Sequence, residues 1–124
     1  MNKVVFLILI SALHLQAIEW KSYDEGLKIQ KQTHKPIMID VVRTNCHYCK
    51  DMEKAVFDDK EMSSWLEERF IPVKINLDLH KLPLNLSVTF TPTFYFINED
   101  HKVIKKVPGS WNIEDFKSLS QGVQ

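Results

Sequence analysis

Pro36-Ile37-Met38-Ile39-Asp40-Val41-Val42, then Arg43-Thr44-Asn45, then Cys46-His47-Tyr48-Cys49 carries the strongest structural signal in the chain. The run from Pro36 to Val42 is apolar except for Asp40, rich in branched side chains and closed by a polar triplet, which predicts a fully buried strand. The cysteines that follow are the only 2 in the chain. On a helix, positions i and i+3 share a face, with Cα atoms roughly 5 to 6 Å apart, a span a disulfide tolerates. The Cys46–Cys49 pair can therefore open and close without moving the backbone. A strand running into a helix that opens with Cys-x-x-Cys is a redox arrangement. Unpaired amides at the helix start favour an anion, so Cys46 is the expected low-pKa nucleophile and Cys49, one turn inside, the buried resolving thiol.

Other chemistry is open to two close sulfurs. A structural zinc site needs four ligands, yet there is no second cysteine pair, and His14, His34, His80 and His101 show no paired spacing. A purely structural crosslink would close too short a loop to stabilise the chain much. Copper(I) handling by Cys46 and Cys49, as a binding module without turnover, is chemically sound and stands as the alternative to thiol–disulfide exchange.

Working outward, 124 residues with 44% hydrophobic content suit a single small domain. Lysine plus arginine and aspartate plus glutamate number 16 each, so no global field attracts nucleic acid or an anionic membrane. Near the start, Lys3 precedes the unbroken apolar run Val4 to Ile10, and Leu15-Gln16-Ala17 offers a small residue for cleavage. Residues 1–17 therefore read as a signal peptide and 18–124 as the mature domain. The apolar stretch is short of the roughly 20 residues that span a bilayer, so a cleaved leader is expected rather than an anchor. An exported chain with one close cysteine pair is not a disulfide-stapled scaffold. The final residues carry no endoplasmic-reticulum retention signal, and a bacterial periplasm is the expected compartment.

Trp20, Tyr23, Leu27 and Lys31 fall at helical spacing, with Gly26 as a weak point and His34-Lys35-Pro36 as the stop. The Cys46 helix should continue through Met52, Ala55 and Val56. Asp58-Asp59 caps a further helix, Glu61 to Arg69, that buries Met62, Trp65 and Leu66. Phe70 to Leu77 reads as a strand, and Leu79 to Val88 as a Pro83-interrupted helix, because Leu79, Leu82 and Leu86 keep a helical period. Thr93 to Ile97 and Lys102 to Val107 form a hairpin about Asn98-Glu99-Asp100-His101. Pro108-Gly109 ends it, and Asn112 to Leu119 is a helix with Ile113, Phe116 and Leu119 on one face. The alternation predicts an α/β domain: a central mixed sheet, parallel in its first half, with helices on both faces.

With these elements in order, the chain resembles the thioredoxin superfamily along nearly the whole mature region. Asp40 stands six residues before Cys46, where thioredoxins carry a buried acid. Lys74-Ile75-Asn76-Leu77-Asp78 looks like the strand whose lysine approaches that acid, and Thr91-Pro92-Thr93-Phe94 is similar to the cis-proline loop. Within the superfamily, residues 46–57 most resemble small periplasmic thioredoxin-like proteins and the C-terminal domain of the electron carrier DsbD. This chain has Asn45 where the family usually has an aromatic residue. The resemblance implies that Asp40 accepts the proton of Cys49, that Lys74 tunes Asp40, and that a cis bond at Pro92 presents the Thr91 backbone to an extended substrate. His47 is expected to stabilise the Cys46 thiolate, and Tyr48 to contact substrate or cover the sulfurs. Between Cys49 and Pro92 there is no room for the helical insertion of DsbA-like oxidases, nor does the chain carry a dimerisation region. The expected protein is a monomeric reductase or electron relay acting on disulfide-bearing or dithiol proteins, fed by a membrane electron donor. It needs no cofactor, no metal and no nucleic acid.

Overall fold

The computed structural model describes residues 17–123. The expected signal peptide falls, but for Ala17, outside the described residues. The chain forms α1 (Tyr23–Thr33), β1 (Ile37–Val42), α2 (His47–Met52), a π-helical segment (Glu53–Phe57), α3 (Lys60–Arg69), β2 (Ile71–Asn76), β3 (Thr93–Ile97), β4 (Val103–Pro108) and α4 (Ile113–Ser120). The four strands lie in the order β2-β1-β3-β4, with β1 parallel to β2 and antiparallel to β3, and β3 antiparallel to β4. This is the expected single α/β domain with a mixed sheet.

Side-chain alternation along the strands divides the core in two. Met38, Phe94, Phe96 and Val107 meet Met52, Val56, Phe57, Met62, Leu66 and Phe116 from the α2, α3 and α4 side. Ile37, Ile39, Val41, Ile71, Val73, Tyr95 and Ile97 meet Tyr23, Leu27 and Ile29 of α1. The helix boundaries follow the capping residues: Ser22, Asp59 and Asn112 each accept an amide from the first turn behind them. His34, in the left-handed region, closes α1.

Four local expectations need correction. First, 79–88 is not helical: the residue before Pro83 is biased away from the helical region, and Leu84 and Asn85 take φ of 56° and 54°. Leu82, Leu86 and Val88 still pack on the α1 face of the sheet, and the Tyr95 hydroxyl donates to the Ser87 carbonyl, so a loop covers part of that face. Second, the helix after α2 widens: the Asp58 amide donates to the Glu53 carbonyl, five residues back, at 2.8 Å. That extra residue shifts the phase, so Phe57 turns inward beside Val56 and Ala55 is exposed. Third, Trp20 precedes α1. Lys21 pairs alongside β2, its amide donating to the Pro72 carbonyl at 2.9 Å and its carbonyl accepting the Lys74 amide at 3.2 Å. Fourth, Gly26 is no weak point; it is where α1 approaches the sheet, and a Cβ there would stand 2.6 Å from Val73 Cγ2.

Candidate active site

The loop between β1 and α2 must turn sharply to set Cys46 at the helix start. Asn45 makes the turn at φ 58°, a left-handed conformation that asparagine tolerates and an aromatic residue does not favour, which accounts for the departure from the family pattern. Asp78 braces the loop: the Thr44 amide donates to its Oδ2 at 2.9 Å, and Arg43 Nη1 lies 3.8 Å from Oδ1. Asn76 Nδ2 donates to Thr44 Oγ1 at 3.1 Å. The sequence alone singles out neither Asp78 nor Asn76 as a brace.

Cys46 is the N-cap of α2, and its Sγ accepts the Cys49 amide at 3.2 Å. It is joined to Cys49 by a disulfide with Cα atoms 5.2 Å apart. Across from it, Thr91 Oγ1 donates to Cys46 Sγ at 3.2 Å, and the Thr91 carbonyl lies 3.6 Å away, where a thiol would donate once the disulfide opens. The Thr91–Pro92 peptide is cis, and the Pro92 carbonyl accepts the Gly109 amide at 2.8 Å. Both cysteines are partly exposed, so Cys49 is not the fully buried thiol expected from its place one turn inside. The helix is only 6 residues long before it widens, too short to shield that turn completely.

Asp40, by contrast, is 2% exposed, and its Oδ1 is buried without a hydrogen-bond partner. Burial pushes its carboxyl from 3.8 up to about 7; Lys74 lowers it and Glu53 raises it. Lys74 faces Asp40 across the β1–β2 register. Its ammonium does not bond Asp40: it donates to Glu53 Oε2 at 3.0 Å and lies 4.5 Å above the Trp20 ring. Glu53 and Trp20 thus join the site, and no motif marks Trp20 for it. Glu53 had a signal, four residues beyond Cys49 and so on its helix face. A cleft of about 430 Å³ lined by Tyr23, His80 and Leu82 among others also touches Lys74, but Asp40, Glu53 and Trp20 do not line it.

The His47 ring is not among the hydrogen-bond partners of Cys46 Sγ. Its Nε2 lies 3.3 Å from Asp51 Oδ2, one turn along, and its ring meets Tyr48 edge to face at 5.6 Å. Tyr48, Phe90 and Trp111 are exposed. The Trp111 amide donates to Met52 Sδ at 3.3 Å, anchoring that loop to the redox helix. Among the described residues, no three histidine, cysteine, aspartate or glutamate side chains converge as a metal-binding group.

A family model described as a thioredoxin-like domain matches residues 23–124. An uncharacterised protein of Archaeoglobus fulgidus is 25% identical over 104 residues, covering 76% of this chain and 80% of its own. A thioredoxin from Thermus thermophilus superposes with a TM-score of 0.71 at 26% identity, over 86% of this chain and 87% of that one. The C-terminal domain of DsbD from Neisseria meningitidis, in its oxidised form, gives 0.69 at 17% identity over 82% and 91%.

Proposed function

Because this chain belongs to the thioredoxin-like domain family, we propose that it is a thiol–disulfide oxidoreductase of the periplasm, working as a monomeric reductase or electron relay for protein disulfides and fed by a membrane electron donor. The observation that carries the reading is the setting of Cys46 Sγ, which receives both the Cys49 amide and Thr91 Oγ1 at 3.2 Å. Two donors on one sulfur stabilise a thiolate when the disulfide opens, which lowers its pKa and makes it the attacking group.

In the reductive direction, the Cys46 thiolate attacks one sulfur of a substrate disulfide and expels the other as a thiolate, leaving a mixed disulfide at Cys46. Cys49 loses its proton to the Asp40 carboxylate and attacks Cys46 Sγ. The Cys46–Cys49 bond forms, the second substrate sulfur leaves as a thiolate, and substrate gains the two electrons that the protein loses. Asp40 suits this step because burial raises its carboxyl to about 7, close to the working pH. The partly exposed Thr91 peptide, with the exposed Phe90 beside it in sequence and the exposed Tyr48 between the two cysteines, offers an extended polypeptide a place to lie. Export is supported by the charged and apolar pattern of residues 1–17.

The purified protein should reduce insulin with dithiothreitol as donor, and Cys46→Ser should abolish this. Cys49→Ser should accumulate a mixed disulfide at Cys46 with its clients. A reduction potential above about −150 mV would overturn the reductive direction. Recovery of a tagged full-length chain in the cytoplasmic fraction would overturn the periplasmic assignment.

A further inference from the structure

Trp20 lies ahead of the region the family model matches, so family membership assigns it nothing. Its place is nonetheless closely defined. The Lys21 pairing pins this segment to the outer edge of β2, and Ile18 sinks into the core. The indole packs edge-on against Phe57 with centroids 4.9 Å apart. Its Nε1 is buried without a partner, so packing rather than a hydrogen bond holds the ring. Above the ring face, at 4.5 Å, sits the Lys74 ammonium, which reaches Glu53 Oε2 at 3.0 Å. The electron-rich face of an indole attracts a cation at this range, and it does so more strongly when water is scarce.

We propose that Trp20 is a positioning residue of the redox site: its indole face holds the Lys74 ammonium against Glu53 and beside Asp40, and so sets how readily Asp40 takes up a proton. The inference rests on the oxidoreductase reading only for its consequence in turnover. Lys74 from β2 and Glu53 from the π-helical segment are the charged groups acting on Asp40, with opposite signs. On β3 the residue opposite Asp40 is Phe94, which carries no charge. The charged residues of α2, His47, Lys50 and Asp51, are exposed. Lys21, next to Trp20, is paired with Glu19 at 2.9 Å. The Lys74 ammonium is therefore the charge that opposes burial and Glu53 at Asp40, and its position matters. A lysine without the ring beneath it spreads over its rotamers and stands near Asp40 for less of the time.

The test is titration of the Asp40 carboxyl carbon by NMR in the oxidised full chain. Trp20→Leu keeps an apolar side chain at the sheet edge but removes the π face, and should move the Asp40 midpoint upward by roughly half a pH unit or more. Trp20→Phe should stay close to native. In a Lys74→Met background, Trp20→Leu should add no further shift. An unmoved or lowered midpoint in Trp20→Leu overturns the proposal, as does an equal shift in the Lys74→Met background, which would make Trp20 a mere cover. Should Trp20→Leu not fold, the native protein supplies a second measurement. The Lys74 ε-methylene protons should resonate upfield through the ring current, and ordinary shifts there overturn the proposal. Insulin reduction across pH separates the two readings. A shift at Asp40 in a protein that never reduces insulin leaves Trp20's role standing and removes the oxidoreductase reading, while insulin reduction with no shift does the reverse.

Discussion

At the scale of single residues, Asp40 is the most consequential side chain after the cysteines. A carboxylate with one oxygen buried and unpartnered is costly to ionise, and nearby Lys74 only partly offsets that cost. The same burial that raises its proton affinity suits it to accept the Cys49 proton, a role that asparagine cannot fill. We expect Asp40→Asn to slow decay of the mixed disulfide at pH 7 by on the order of a hundredfold. The native rate should rise as pH passes through about 7, where Asp40 ionises, and that inflection should vanish in the variant. Stopped-flow decay of a Cys46 mixed disulfide between pH 5.5 and 9 tests both, and an unchanged profile would remove Asp40 from the mechanism.

At the scale of elements, the site depends on how closely α1 sits on the sheet and how α2 continues. Gly26 lets α1 approach until an added Cβ would stand 2.6 Å from Val73 Cγ2. Alanine would favour the helix by up to about 1 kcal/mol, but forcing a branched side chain aside in a packed core costs about 1 to 3 kcal/mol. Gly26→Ala should therefore be destabilising on balance, by about 1 kcal/mol in urea unfolding, and a stabilised variant would refute the close-approach reading. On the other face, the π-helical segment turns Phe57 into an aromatic cluster with Trp20, Phe94 and Phe116. Phe57→Ala should cost about 3 to 5 kcal/mol, measured as a fall in urea midpoint. It should also loosen Trp20, which has Phe57 as its edge-on neighbour.

For the whole molecule, Asp40 couples redox chemistry to stability. Its folded value of about 7 lies above the unfolded 3.8, so between those limits the folded chain binds a proton that the unfolded chain has released. Stability from this group is complete below the unfolded value and is lost as pH rises to the folded one. The span corresponds to roughly 4 kcal/mol at most. Asp40→Asn should thus gain on the native protein as pH is raised from 5 to 8 and be the more stable of the two at pH 8. Paired urea titrations at the two pH values check this; a difference that does not change with pH would mean that the carboxyl ionises at an ordinary value.

What the sequence by itself determined is what acts over a few residues. The Asp58-Asp59 cap, the helix start at Asn112, the apolar run of β1, the hairpin turn at 98–101 and the i,i+3 spacing of the cysteines all depend on near neighbours and on polarity period, so they are legible along the chain, whereas the Ser22 cap was hidden by Trp20 falling at helical spacing. Asp40 stood out as an acid in an apolar strand, but its role came from the resemblance, six residues before Cys46. Tertiary structure decided the rest, because each remaining contact joins residues whose separation carries no pattern. Thr91 meets Cys46 across 45 positions, Asp78 meets Thr44 across 34, and Glu53 meets Lys74 across 21. The same holds for residues 79–88. Leu82 and Leu86 do pack on the sheet, as the period implies, but a loop docks them as well as a helix would, Leu79 is left exposed, and Pro83 tips the choice.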